Sequence, residues 1–216
     1  MAIHSRIQVV AIGLLLSLAG ASVADAHPHI WVISKTEIVY AADGTVKALR
    51  QAWTFDDMFS AFATQGLDTN NDGKLSREEL AELAKVNVTS LKEFDYFSEG
   101  KSGGKKIVFD EPVDYWLDAD ADKILTLHFT LPVKSTAPKG NLTIDIFDPT
   151  YFIAFSLANE QPVMLTGAPA GCSIEVRRPD PAATATTNLS ESFFNSLNAA
   201  SDYGAQFANR ISVRCK

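Results

Sequence analysis

Apolar and polar residues alternate along much of this 216-residue chain, and a period of two is the pattern of a β-strand with one buried face. The clearest example is the segment LTLHFTL at residues 125–131, in which every second residue is Leu or Phe. Strands are predicted at residues 29–40, 46–54, 107–115, 124–133, 142–147, 151–157, 163–165, 172–177 and 211–215. The turn at residues 42–45 joins the first two as a β-hairpin.

The period changes to that of a helix after the hairpin. Phe55, Met58, Phe59 and Phe62 fall at i, i+3, i+4 and i+7, and a longer helical stripe follows from Leu80. The sequence EGKSGGKK at residues 99–106 predicts a flexible loop. Strands, two helices and then many strands predict the α+β class, with a mainly antiparallel β-sheet domain that carries an inserted, EF-hand-like helix-loop-helix.

This organisation predicts three parts of the chain. Residues 1–26 form a signal peptide, and residues 27–178 form the β domain, with the helical insertion at residues 55–98. Residues 179–216 comprise a polar linker, a short helix at residues 191–199 and a C-terminal strand.

The first 26 residues have the pattern of a secretory signal. A short apolar run at residues 7–19 follows a positively charged start, and the small residues Ala24 and Ala26 mark a cleavage site. A membrane anchor is the alternative, but the run is shorter than the roughly 20 residues that a spanning helix needs. The pattern predicts a periplasmic protein that does not span the membrane once the signal is removed.

Charge and cysteine content restrict the function further. With 19 Lys and Arg against 26 Asp and Glu, the net charge is −7, which argues against a nucleic-acid partner. Cys172 and Cys215 are the two cysteines, and an even count in an exported chain predicts a disulfide that ties back the last strand. A two-cysteine metal site is the alternative, but the chain has no CxxC motif.

Residues 68–79, DTNNDGKLSREE, match every position of an EF-hand calcium loop. Gly73 stands at position 6, where the loop turns sharply. The predicted Ca²⁺ ligands are Asp68, Asn70, Asp72, the Lys74 carbonyl, Ser76 and Glu79. A polar turn between helices is the alternative. Because sensor loops usually come in pairs, a single loop in a calcium-rich compartment indicates a structural clip rather than a switch.

Three histidines remain after cleavage, and they suggest a second metal site. His27 and His29 share one face of an extended chain, and His128 lies on the polar face of a predicted strand. Imidazoles favour Ni²⁺, Co²⁺, Zn²⁺ or Cu²⁺, and the new amino terminus of His27 can chelate with its own ring. Asp148 is a candidate fourth ligand. The alternatives are a hydrogen-bonded strand histidine, a solvated terminus and a plain Asp-Pro turn.

Several segments together resemble domain of unknown function family 1007. They are HPHIWV at 27–32, WTFD at 53–56, the acidic loop, LTLHFTLP at 125–132, DPTYF at 148–152 and GAPAGC at 167–172. The resemblance implies a bacterial exported protein of the kind labelled as a periplasmic component of an ABC-type transport system. Genes of the family tend to lie near nickel/cobalt-type transporters, which implies a role in metal handling.

The leading hypothesis is therefore a periplasmic metal-binding accessory protein that supports a membrane metal transporter. The first alternative is a calcium-stabilised interaction module without a transition-metal site. The second is a copper-dependent oxidoreductase with a histidine brace at the amino terminus. No nucleophile elbow, P-loop or dinucleotide fingerprint is present in the sequence, and the chain is predicted not to be an enzyme.

Overall fold

Two β-sheets pack face to face across one hydrophobic core in the computed structural model, which describes residues 28–134, 140–180 and 203–215. The predicted signal peptide, His27 and the predicted helix at residues 191–199 lie outside the described residues. The strands within them are β1 (Ile30–Tyr40), β2 (Val46–Phe55), β3 (Ser98–Ser102), β4 (Lys105–Ile107), β5 (Val113–Ala119), β6 (Leu125–Pro132), β7 (Leu142–Ile146), β8 (Ile153–Leu157), β9 (Val163–Thr166), β10 (Ser173–Arg177) and β11 (Asn209–Arg214).

The first sheet has the order β5-β6-β2-β1-β8, and β9 pairs with β1 farther along the same edge. β1, β2, β6 and β5 are antiparallel neighbours, as the alternating pattern predicts. β8 and β9 run parallel to β1 instead, so the sheet is mixed at this edge. The second sheet has the order β10-β11-β7-β3-β4, and all of its pairs are antiparallel. The α+β class with mostly antiparallel strands is confirmed.

Trp53 of β2 lies at the centre of the core with 1% of its surface exposed. Its ring centroid is 4.7 Å from that of Phe129 and 4.9 Å from that of Phe155, both in edge-to-face contact. Phe97, which leads into the second sheet, approaches it at 6.2 Å. Aromatic pairs in these geometries add about 0.5–1.5 kcal/mol each beyond the burial of apolar surface. Trp53 therefore connects the inner faces of both sheets.

Two α-helices follow β2, close to the predicted positions. Asp56 caps the amino terminus of α1 (Asp57–Ala63), and its Oδ1 accepts a hydrogen bond from the Phe59 amide at 2.8 Å. α2 (Arg77–Ser90) begins with a capping box between Ser76 and Glu79. Leu80, Ala84 and Val88 form the buried side of α2, which packs beside β5. A 3₁₀ segment, Leu91–Phe97, then leads into β3.

The predicted loop at residues 99–106 is wrong, because this segment forms the β3–β4 hairpin. The inward positions of β3 are Ser98, Gly100 and Ser102, all small, so the composition resembles that of a loop. A Cβ atom on Gly100 would lie 3.1 Å from the Ile107 side chain and 3.2 Å from that of Ile144. The small residues therefore let β3 pack closely within the second sheet.

The predicted strand at residues 107–115 is also wrong as one element. Ile107 ends β4, and β5 begins only at Val113 in the other sheet. Pro112 lies directly before β5 and has no amide hydrogen to donate to a strand ladder. The chain therefore leaves one sheet and enters the other within this short stretch.

The predicted disulfide between Cys172 and Cys215 is confirmed. It joins the residue before β10 to the residue after β11, and these two strands are antiparallel neighbours. In the chain-entropy description, a loop of this length contributes about 4 kcal/mol. Across the described ranges, no helix has both the length and the apolar character needed to cross a bilayer.

Replacing Trp53 by Ala should lower the free energy of unfolding by about 3–5 kcal/mol, because it empties the contact between the sheets. Trp31→Ala is the matched control, since Trp31 lies on the outer face of β1 with 50% of its surface exposed. It should cost less than about 1 kcal/mol. Urea unfolding of the two variants measures the difference, and equal losses would contradict the assignment of Trp53 to the centre of the core.

Candidate functional site

The loop between the two helices directs its polar side chains toward its own backbone. The Asp72 amide donates to Oδ1 of Asp68 at 3.2 Å and to Oδ1 of Asn70 at 2.8 Å. The Gly73 amide donates to Oδ2 of Asp68 at 3.0 Å, and the Lys74 amide donates to Oδ1 of Asp72 at 2.8 Å. Gly73 has a φ of +81°, which a glycine adopts without strain. The oxygens at positions 1 and 3 thus converge on one amide.

Glu79, at position 12 of the loop, accepts hydrogen bonds from two residues that precede it in the loop. Its Oε1 accepts from the amide and hydroxyl of Thr69 at 2.8 and 2.9 Å. Its Oε2 accepts from the amide and hydroxyl of Ser76 at 3.0 and 2.9 Å. The backbone hydrogen bonds from Ser76 and Thr69, followed by those from their hydroxyls, lower the pKa of Glu79 to about 2. The carboxylate is therefore charged at neutral pH.

The donor set of the loop fits calcium chemically, since carboxylate, amide and carbonyl oxygens are the ligands that Ca²⁺ takes. Asp68, Asp72 and Glu79 are the three carboxylates at ligand positions. Across the described parts of the chain, however, no three His, Cys, Asp or Glu side chains are gathered as in a metal site. Glu79 engages Thr69 and Ser76, so binding of Ca²⁺ would exchange these hydrogen bonds for metal contacts.

The structure does not bring His29 and His128 together. His29 is exposed just before β1, where its ring lies 4.7 Å from that of Phe152. His128 of β6 is opposite Ala52 of β2, which in turn is opposite Lys35 of β1. Six residues along β1 and two strand spacings separate the histidines by roughly 20 Å. His27 lies outside the described residues, so its share in a histidine brace stays a prediction.

Asp148 has only 3% of its surface exposed, and both of its carboxylate oxygens are occupied. Oδ1 accepts from the amide and the hydroxyl of Thr150, each at 2.8 Å, and Oδ2 accepts from the Ile153 amide at 2.9 Å. The Asp-Pro turn that was the alternative for this residue accounts for these contacts. In this conformation the carboxylate is engaged in the turn that leads into β8.

His128 belongs instead to a cluster on the outer face of the first sheet, which we call the Asp118 cluster (Arg77, Trp116, Asp118 and His128). Oδ2 of Asp118 lies 3.3 Å from Nε2 of His128 and accepts from Nε1 of Trp116 at 3.0 Å. Oδ1 of Asp118 accepts from Nε of Arg77 at 2.9 Å. The His128 and Trp116 rings stack at 4.6 Å, and the Arg77 guanidinium lies 4.9 Å from the Trp116 ring centroid.

Sequence reasoning identified only His128 in this cluster. Trp116 and Asp118 lie two apart on one strand, and this spacing does predict a shared face. The partnership of β5 with β6, and the return of Arg77 from the start of α2, are contacts between distant parts of the chain. No local pattern indicates them.

Burial lowers the pKa of His128, and it outweighs the raising effect of Asp118. Burial alone would raise the pKa of Asp118, but the hydrogen bonds from Trp116 and Arg77 and the charges of Arg77 and His128 lower it. Asp118 is thus an anion beside a neutral imidazole at pH 7. Nε2 is the ring nitrogen that faces the carboxylate, and Nδ1 points away from it. The His128 side chain is 27% exposed.

The outer face of the first sheet forms a depression of about 310 Å³, which we call the outer trough. Its residues lie in two rows that cross the strands. The first row is Trp116, His128, Ala52 and Lys35, and the second is Thr130, Arg50, Glu37 and Met164. Arg50 and Glu37 form an ion pair at 3.1 Å within the second row. Asp114 and Gln161 also line the trough.

Comparison with known proteins gives a match over nearly the whole chain. The sequence model of a family described as "Protein of unknown function (DUF1007)" matches residues 12–215. An "Uncharacterized protein" of Haemophilus influenzae (strain ATCC 51907 / DSM 11121 / KW20 / Rd) is 22% identical over 207 residues, which cover 94% of this chain and 98% of that protein. The matched range includes both sheets, the loop at residues 68–79 and the Asp118 cluster.

Two substitutions should move the pKa of His128 in opposite directions. Asp118→Asn should lower it, because it removes the anion that favours the imidazolium form. Arg77→Gln should raise it, because it removes a cation. NMR titration of the imidazole measures both shifts. Shifts of the same sign, or none, would contradict the electrostatic account of the cluster.

Proposed function

The chain belongs to the DUF1007 family, and we propose that it is an exported accessory protein that binds Ca²⁺ through residues 68–79 and supports a membrane metal transporter. The observation that carries the calcium proposal is the convergence of the Asp68 and Asn70 side-chain oxygens on the Asp72 amide. The two oxygens lie within hydrogen-bond distance of the same amide, in a loop between two capped helices, and this proximity supports the proposal.

The affinity follows from the ligand charge. Asp68, Asp72 and Glu79 supply three carboxylates, and Asn70 and the Lys74 carbonyl supply neutral oxygens. Extracellular modules with such sites bind Ca²⁺ at about 10⁻⁴–10⁻³ M. That range suits a compartment in which calcium is plentiful, and a site that is filled most of the time stabilises a fold rather than reporting a signal.

The contacts of α2 indicate what the calcium would stabilise. Glu79 lies in the first turn of α2, two residues beyond Arg77, whose guanidinium binds Asp118 of β5. An ion that fixes the loop would therefore also fix the start of α2 against the edge of the first sheet. This supports the role of a structural clip.

Export is supported by the signal-like residues 1–26 and by the disulfide between Cys172 and Cys215, which is a feature of oxidising compartments. The proposed location is the periplasm. The accessory role and its partner, a membrane metal transporter, rest on the resemblance of the motifs to exported components of transport systems.

Calcium at about 100 times its dissociation constant should stabilise the mature protein by about 2.7 kcal/mol, a rise in Tm of about 5–10 °C. Glu79→Gln should abolish most of that rise, because it removes a charged ligand while Gln retains the capping interaction. Glu78→Gln is the matched control at the neighbouring exposed position and should keep the rise. Scanning calorimetry with EDTA and with Ca²⁺ measures the three proteins.

An equal rise in the Glu79→Gln and Glu78→Gln proteins would place the calcium elsewhere. The absence of any rise in the unmodified protein would refute calcium binding by the loop.

A transition-metal site at His128 is a second candidate, and the position of Asp118 favours it. A carboxylate on one ring nitrogen orients the other nitrogen toward a metal and raises its basicity. In the Asp118 cluster the carboxylate lies beside Nε2, so Nδ1 is the nitrogen that would bind Ni²⁺, Co²⁺, Zn²⁺ or Cu²⁺.

Titration calorimetry with each of the four ions distinguishes the two histidine positions. If His128 binds the metal, His128→Ala should weaken binding at least tenfold, whereas His29→Ala should leave it unchanged because the two side chains are far apart. The reverse result would place the metal at the amino terminus, and no effect of either substitution would exclude His128 and His29 as ligands.

A further inference from the structure

We infer that the outer trough binds a small aromatic carboxylate, with its ring against His128 above Ala52 and its carboxylate at Lys35. This inference concerns an organic ligand and goes beyond the proposed metal-binding function. It rests on the order of side chains in the first row of the trough and on the charge at its end.

At one end of the first row, the planar side chains of His128, Trp116 and Arg77 are stacked on one another. The His128 and Trp116 rings are inclined by only 6°, and Arg77 lies against the Trp116 ring. In the order of the strands, Trp116 lies on one side of His128 and Ala52 on the other. Ala52 has only a methyl group, so a flat ring placed above it continues the stack.

The other end of the row supplies a positive charge. Lys35 is the neighbour of Ala52 on β1 and is exposed, and it makes no ion pair with any other residue that the structure describes. Arg50 in the second row is already paired with Glu37. Two strand spacings, about 10 Å, separate the backbones of Lys35 and His128, and the long lysine side chain shortens that gap. A ring that carries one carboxylate spans the remainder.

The remaining charges favour one orientation of the ligand. Asp114 lines the trough near the Trp116 end and would repel a carboxylate placed there. A volume of about 310 Å³ is at the lower end of the range for small-molecule sites, and it accommodates a bicyclic ring. The floor of the trough combines the apolar Ala52 with the polar Thr130, which is the usual mixture of apolar surface and few polar groups.

Titration calorimetry of the full mature chain with 2-naphthoate tests the inference, with 2-naphthalenemethanol as the uncharged probe. Lys35→Gln should weaken naphthoate binding about tenfold and leave the alcohol unchanged, because it removes only the charge. Lys47→Gln is the matched control, an exposed lysine of β2 outside the trough, and should have no effect. Ala52→Leu should weaken both probes, because it fills the space of the ring.

The absence of saturable naphthoate binding by the unmodified protein would overturn the inference, and so would equal effects of Lys35→Gln and Lys47→Gln. Each variant is first shown to melt as the unmodified protein does. The titrations are carried out in EDTA and repeated with Glu79→Gln. If naphthoate still binds in both cases, its binding does not depend on calcium, and the two proposals can fail independently.

Discussion

The fold depends on the contact of Trp53 with aromatic rings from both sheets. Phe129 of β6 and Phe155 of β8 contact it from the first sheet, and Phe97 contacts it from the segment that leads into the second sheet. The edge-to-face contacts with Phe129 and Phe155 fix the Trp53 ring within the first sheet, and its tilted contact with Phe97 reaches the segment that leads into the second sheet. With Trp53 inward, the other inward positions of β1, β2 and β6 follow from the strand pairing, since side chains alternate along a strand.

The same alternation determines the functional surface. When Trp53 and Phe129 point inward, Ala52 and His128 point outward, and the strand pairing aligns them with Trp116 and Lys35. α2 completes this surface, because the hydrogen bond from Arg77 to Asp118 joins the start of the helix to the edge of the first sheet. The start of α2, directly after the proposed calcium loop, is therefore linked to the outer trough through the Asp118 cluster.

The sequence predicts what depends on neighbours in the chain. The alternation in β6, the hairpin of β1 and β2, the helices on either side of the loop and the disulfide are all confirmed. Features that depend on distant contacts are not predictable in this way. The sequence around Gly100 predicts a loop, because the packing of Gly100 against Ile144 is a contact between distant parts of the chain. The parallel pairing of β8 with β1 has no local signal either. The contact of Asp118 with Arg77 spans 41 positions, and so the cluster around His128 was missed.

The central claim is that residues 68–79 bind calcium, and the Gly73 amide resonance tests it most directly, since that amide donates to Asp68 at position 1 of the loop. We expect calcium to shift this resonance in the NMR spectrum, with a midpoint of about 10⁻⁴–10⁻³ M. The Ala52 amide, in the outer trough, should stay in place. A Gly73 resonance that does not move at calcium concentrations well above this range would contradict the claim.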